Sequence, residues 1–315
     1  MEIGGYIEFE NFNLPMLHED AIKLNCGRCA LEYVIKAKDI HRIFMPRFMC
    51  DSCDNTYKKL SVDVCYYSIN MDFTPCINDI AKDEWIYVVN FYGQLSNEYI
   101  VTLKKTFNNL IIDNAQAYFQ MPVMDVDTIY TCRKFFGVSD GAILYTNKIL
   151  DKKIEQDESF SRMKFLLGRF ERTASEFYLE YVENNKLFKN ENIKLMSKLT
   201  ENLLHGIDYE YIKYRRTSNF KMLDAAFNGI NKLKLSIPEG AFMYPLYIEN
   251  GDILRKKLQK EKIYIPTLWP AVFNICKDSE LEYDMAKNIL PLPCDQRYGE
   301  EEMVYMMEVL LECID

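Results

Sequence analysis

The sequence predicts an α/β protein: a mostly parallel sheet flanked by helices, then a smaller α+β region toward the C-terminal end. Three observations carry this. Trp85-Ile-Tyr-Val-Val89 and Leu110-Ile-Ile-Asp113 are short apolar runs, the pattern of strands buried on both faces. Helical periodicity fills the stretches between such runs, as in βαβ units. Near residue 154 the texture changes to long charged and aromatic helical stretches, with no glycine between Gly168 and Gly206.

Taken in order, residues 29–38 read as a helix, with Ala30, Leu31, Val34 and Ile35 on one side. Arg42-Ile-Phe-Met45 is a strand that Pro46 ends; 50–60 is helical and Val62–Ile69 is the next strand. After the strand at 85–89, residues 97–107 form a helix that turns Tyr99, Ile100 and Leu103 inward. The strand at 110–113 follows, then one at Ala142-Ile-Leu-Tyr145. Asp208 is a candidate N-cap for a long helix ending near Asn228-Gly229. Ala241–Tyr247 reads as a strand, with 251–260 and 300–313 as helices. The division predicted is 1–200 for the large α/β domain and 201–315 for the small one.

Composition narrows the function classes. With 38 basic and 47 acidic residues the net charge is −9, which argues against a nucleic-acid partner, since that needs a basic face. No stretch reaches the ~20 apolar residues of a membrane span. The N-terminus, Met1-Glu-Ile-Gly-Gly-Tyr-Ile-Glu, is acidic and lacks the apolar core of a signal peptide. A cytoplasmic protein whose ten cysteines are mostly reduced is therefore expected. His18, His41 and His205 are scattered, so a histidine-based metal centre has little support. Walker, Gly-x-Gly-x-x-Gly and Gly-x-Ser-x-Gly motifs are absent.

The most informative constellation is Asp113-Asn-Ala-Gln-Ala117 followed by Thr131-Cys-Arg-Lys134 and Asp140-Gly-Ala142. An acid closes a buried strand, and a lysine follows 21 residues later, before a turn and another strand. That order suits pyridoxal 5'-phosphate chemistry: a lysine amine binds the cofactor aldehyde and a carboxylate pairs with the pyridinium nitrogen. Taken alone, Asp113 fits a helix cap or a salt bridge equally well. Most lysines are solvated, but Phe135 and Phe136 beside Lys134 argue for a shielded one.

These residues resemble the DegT/StrS-type sugar aminotransferases, which have the three-layer, mostly parallel sheet of the type I aspartate aminotransferase fold. Cys26-Gly-Arg-Cys-Ala-Leu31 stands where the family has Ser-Gly-Thr-x-Ala-Leu, and Asn90-Phe-Tyr-Gly93 where it has His-x-Tyr-Gly. Ile112-Asp-Asn-Ala-Gln-Ala117 matches Glu-Asp-Ala-Ala-Gln-Ala. Lys134-Phe-Phe-Gly-Val-Ser-Asp-Gly-Ala142 matches Lys-Asn-Leu-x-x-Gly-Glu-Gly-Gly more loosely. Met196-Ser-x-Leu199, Arg215-Arg216, Leu290-Pro-Leu-Pro293 and Glu300-Glu-Glu-Met303 extend the resemblance over nearly the whole chain. The chain also departs from the pattern. It is shorter than typical members. Cys50 stands at the ring-stacking position, with Phe48 as a substitute, and Ile129 replaces the phosphate-side serine. Ile193-Lys-Leu195 replaces the Asn-x-Arg that reaches the partner subunit.

The resemblance implies roles. Lys134 is the Schiff-base former and proton shuttle, Asp113 the pyridinium anchor and Gln116 the partner of the cofactor's phenolic oxygen. Gly27, Arg28 and Cys29 open a helix whose free amides would hold the phosphate, with Thr131 a further phosphate ligand. The activity implied is amination of a keto group on a nucleotide-linked sugar, with glutamate as donor, in amino-sugar or polysaccharide biosynthesis, by a homodimer. Lys134 argues against the sugar dehydratases of the family, which carry histidine there. The remaining alternative is a non-catalytic relic, or one holding zinc through Cys26-x-x-Cys29 and Cys50-x-x-Cys53. That spacing matches a zinc ribbon, but a helix and a strand lie between the pairs. Arg47 and Arg297 are candidates for an acidic donor or a diphosphate. Trp269 is a pocket or core residue, and Tyr209–Arg216 reads as a solvated helix face.

Overall fold

The computed structural model describes residues 3–77 and 80–314. Its strands are β1 (Ile22–Leu24), β2 (Arg42–Pro46), β3 (Asp63–Tyr67), β4 (Trp85–Val89), β5 (Asn109–Asp113), β6 (Asp127–Thr131), β7 (Ala142–Tyr145), β8 (Met243–Tyr247) and β9 (Ile289–Pro293). Its helices are α1 (Gly27–Lys38), α2 (Asp54–Leu60), α3 (Asn97–Thr106), α4 (Lys164–Glu171), α5 (Tyr178–Leu187), α6 (Lys198–Leu204), α7 (Tyr209–Phe227), α8 (Gly251–Lys260), α9 (Val272–Ile275), α10 (Leu281–Asn288) and α11 (Glu300–Ile314).

The main sheet has seven strands in the order β1-β7-β6-β5-β4-β2-β3. β2, β3, β4, β5 and β6 pair in parallel, while β7 runs antiparallel to both β6 and β1. β1 therefore points the same way as the parallel strands. The expectation of a mostly parallel sheet is met. The central strands are apolar on both faces, as burial beneath helices requires: Ile86, Val88, Leu110, Ile111 and Ile112 are all buried. β8 and β9 pair in a separate two-stranded sheet. It shares a second core cluster with Phe220, Leu223 and Phe227 of α7, Leu258 of α8 and Met303 and Leu310 of α11.

Sequence reasoning found β2, β3, β4, β5, β7 and β8 and missed three strands. β1 has only three residues, too few for a period to show. β6, Asp127-Thr-Ile-Tyr-Thr131, mixes polar and apolar residues yet is buried through its first four. β9 carries Pro291 and Pro293, which usually argue against a strand; in a two-stranded sheet each strand is an edge, where a missing amide is tolerated. Asp208 caps α7 as expected, its side chain accepting from the Tyr211 amide at 2.9 Å.

Candidate active site

Parallel strands deliver their following loops to one edge of the sheet, where ligands of open α/β sheets bind. Register places Val89 beside Asp113 and Asp113 beside Ile129. The ends of β4, β5 and β6 therefore bring Asn90–Gly93, Asp113–Ala117 and Thr131–Lys134 together. β1 ends at the same edge and leads into α1. Two backbone bonds tie this loop to the lysine turn: Gly141 donates to the Asn25 carbonyl at 2.7 Å, and Cys132 to the Gly141 carbonyl at 3.1 Å.

Asp113 is half-buried at the end of β5. Its Oδ2 accepts from the Tyr87 hydroxyl at 2.7 Å and its Oδ1 from the Ala115 amide at 2.8 Å. Tyr87 is buried, and burial followed by the nearby Asp113 charge pushes its phenol well above its ordinary range, so it stays a donor. None of the ion pairs among the described residues involves Asp113. The carboxylate is thus oriented by two donors.

Lys134 ends a short 3-10 turn, Cys132–Lys134, in which Cys132 is buried, Arg133 half-buried and Lys134 exposed. This corrects the expected shielding: Phe135 and Phe136 point into the core while the lysine points out. Its Nζ lies 5.4 Å from the centre of the Phe242 ring, and it too has no ion pair among the described residues. Gln116 is buried, and its Oε1 accepts from the Tyr92 amide at 2.8 Å, so a bond to a ligand would come from its Nε2. Tyr92, the second residue after Asn90, sits in the left-handed region at φ 54°.

At the start of α1 no side chain caps the helix. Gly27 and Arg28 are half-buried and Cys29 is buried. The Arg28 Nη1 is buried without a hydrogen-bond partner. The Cys26 thiol is held below its ordinary range, first by its hydrogen bond with Cys29 and further by Arg28 and Arg133. Burial lowers the Arg133 guanidinium, which stacks 4.8 Å from the Phe188 ring. Open amides, a helix dipole and an arginine with an unfilled donor make an anion seat. Thr131, half-buried at the end of β6, has no side-chain capping bond. An unpaired carboxylate, a lysine amine and an anion seat at one edge fit the pyridinium, aldehyde and phosphate of pyridoxal phosphate.

Other candidates fall elsewhere. Phe48 is wholly buried against Trp269 at 4.5 Å and Phe91 at 5.3 Å, so it is a core residue with no free face for a cofactor. Trp269 belongs to the same cluster, which decides for its core reading. Arg47 is bound to Glu280 and Ser68, each at 2.9 Å, and Arg297 to Asp295 at 2.6 and 2.7 Å. Both guanidiniums already have acidic partners. Among the described residues no group of three or more His, Cys, Asp or Glu side chains could hold a metal ion. Cys26 and Cys29 pack with Phe188, while Cys53 joins the main core, so the four cysteines form no zinc cage. All ten cysteines are free thiols.

The solvated face expected at Tyr209–Arg216 is corrected at Arg216. It falls on the same stripe of α7 as Ile212 and Phe220 and is 2% exposed. Its Nε donates to Gln296 Oε1 at 2.7 Å, its Nη1 to the Ala241 carbonyl at 2.9 Å and its Nη2 to the Phe135 carbonyl at 3.1 Å. Burial brings its pKa down to about 10, so it is charged at neutral pH.

This sheet order, with its one reversed strand and its site at the carboxyl edge, defines a fold shared with aminotransferases. A DegT DnrJ EryC1 StrS aminotransferase from Brucella abortus superimposes with a TM-score of 0.60 at 15% identity, over 93% of this chain and 85% of that one. DesV from S. venezuelae, solved with a ketimine intermediate, gives 0.66 at 14% identity, over 93% and 84%. The sugar aminotransferase CalS13 from Micromonospora echinospora gives 0.64 at 12% identity, over 93% and 87%. No protein-family model matches the sequence, and no curated protein does either. The chain thus has the fold of these proteins.

Proposed function

We propose that this chain is a pyridoxal phosphate-dependent aminotransferase that aminates a keto group of a nucleotide-linked sugar, with glutamate as the amino donor. One observation carries the reading: Asp113 and Lys134, neither with an ion-pair partner among the described residues, stand at the same sheet edge as the uncapped start of α1. Support for the cofactor also comes from a structural neighbour. Spr1654 from Streptococcus pneumoniae, described as a candidate sugar aminotransferase, shares the fold at a TM-score of 0.64 and was solved in PLP and PMP forms.

When bound, the cofactor would supply an electron sink for the carbanion formed as a donor's α-proton leaves. Asp113, fixed by Tyr87 and the Ala115 amide, would hold the pyridine nitrogen protonated. The Gln116 Nε2 would donate to the phenolic oxygen. The amides of Gly27, Arg28 and Cys29, the Arg28 guanidinium and the Thr131 hydroxyl would hold the phosphate. Once an amino donor has taken its place, the Lys134 amine would carry the proton from the donor's α-carbon to the C4′ position.

The test is the visible absorbance of the protein with added pyridoxal phosphate, before and after borohydride, for the wild type and Lys134→Ala. A band that borohydride traps on Lys134, absent from the variant, is expected, as is its conversion to the pyridoxamine form on adding glutamate. Failure of the wild type to trap cofactor would sink the reading. Trapping without conversion would remove glutamate as donor.

A further inference from the structure

We infer that Arg216 and Gln296 are positioning residues that set where the Lys134 amine sits. The inference rests on the proposed role of Lys134. The Phe135 carbonyl, directly after Lys134, accepts from Gln296 Nε2 at 2.7 Å and from Arg216 Nη2 at 3.1 Å. The two donors are themselves joined by the Arg216 Nε to Gln296 Oε1 bond of 2.7 Å. The same guanidinium grips the opposite wall through the Ala241 carbonyl at 2.9 Å, and the next residue, Phe242, puts its ring 5.4 Å from the Lys134 amine. The Phe135 and Phe242 rings lie 5.9 Å apart, and Arg216 stacks 4.6 Å from the Phe135 ring. One buried side chain thus holds both the lysine turn and the ring platform under the amine.

Arg216 is an expensive way to fill a core position, because its hydrogen-bond partners are neutral. The adjacent carboxylate, Asp295, is taken up by Arg297. A planar fork with several donors is what the geometry uses. A lysine would keep the charge but could not span Gln296, Ala241 and Phe135 together. The ring below the amine is a cation–π seat that holds only while the turn and the platform keep their spacing.

The test uses two preparations, dimethylated protein without cofactor for the Lys134 resonance and unmethylated protein for cofactor trapping, because a dimethylated amine forms no Schiff base. Lysines are reductively dimethylated with ¹³C-formaldehyde and dimethylamine-borane as hydride donor, and the Lys134 methyl resonance is assigned by its loss in Lys134→Arg. In the wild type the Phe242 ring should shift it away from the other lysines, and Phe242→Leu should abolish that shift. Arg216→Lys and Gln296→Met, with thermal unfolding as the check on folding, should move the resonance toward the solvated lysines. Both should also slow borohydride-trapped adduct formation by about 10-fold or more, the expected penalty of a misplaced reacting group. Gln296 is only half-buried, so its variant decides the matter if Arg216→Lys does not fold. A wild-type shift retained in a folded Gln296→Met protein overturns the inference. If the resonance responds but the wild type traps no cofactor, the proposed role of Lys134 falls while the positioning stands.

Discussion

Asp113 has no cationic partner among the described residues, yet its two oxygens are held by Tyr87 and the Ala115 amide. Asparagine would keep the shape and lose the charge. Asp113→Asn should weaken pyridoxal phosphate binding by about 10- to 100-fold, the loss of one charge-assisted bond, as read by spectroscopic titration; unchanged affinity would remove Asp113 as the anchor. His18 is a second residue whose environment dictates behaviour. It is buried, with Nε2 donating to the Tyr118 carbonyl at 2.8 Å and Nδ1 accepting from the Tyr145 hydroxyl at 3.0 Å. Burial lowers its pKa from 6.5. The unfolded chain therefore binds a proton before the folded one does. This contribution to stability is whole above about pH 6.5 and is lost as pH falls from there toward the folded value. Denaturant midpoints should drop from pH 7 to 5.5, and drop less in His18→Asn, which tolerates the left-handed backbone at φ 65°. Equal slopes in both proteins would refute this. Asp113, Gln116 and Lys134 stood out in the sequence only through their order along the chain, since taken alone Asp113 fits a cap or a salt bridge equally well. The burial of Arg216 was not, since nothing local marks a basic residue as core; only its spacing of four from Ile212 and Phe220 hinted at it.

At the scale of the element, the turn between β6 and β7 joins the lysine to the start of α1. Gly141 stands at φ +114°, and a Cβ there would come within 3.1 Å of the Cys132 Cβ and 3.2 Å of Thr200. Gly141→Ala should cost about 1–3 kcal/mol of stability and reduce the trapped cofactor, because the Asn25–Gly141–Cys132 bonds would shift. Urea denaturation measures the first effect; a fully stable variant would contradict it. The neighbouring Asp140 is wholly buried and accepts from the Ser197 amide and hydroxyl, each at 2.8 Å, which anchors the start of α6 to the same turn. Helices were read well from sequence where periodicity ran long, as in α1, α3, α7 and α8. Strands were read well where apolar runs were unbroken. β1, β6 and β9 escaped because length, polarity or proline masked a burial that their neighbours impose.

For the whole molecule, we propose that the homodimer implied by the family resemblance forms through α4 and α5. Phe160, in the turn before α4, and Leu167, Phe170, Tyr178 and Leu179 on the two helices are all exposed, Phe170 at 93%. Phe170→Glu with Leu179→Glu should shift the protein toward monomer in sedimentation, without unfolding it, since neither side chain is buried. An unchanged sedimentation coefficient for a dimeric wild type would place the interface elsewhere. Among the described residues no helix is long and apolar enough to cross a membrane. The sequence by itself determined the α/β class, most of the parallel strands, the capped long helix and the order in which the acid and the lysine occur. These follow from local periodicity and from residue types that chemistry requires. Only the tertiary structure decided that Phe48 and Trp269 are core, that Arg47 and Arg297 are already paired, that the cysteines form no cage and that Arg216 grips the lysine turn. Each depends on which distant segments meet, and burial and charge pairing are settled by partners far away in the chain.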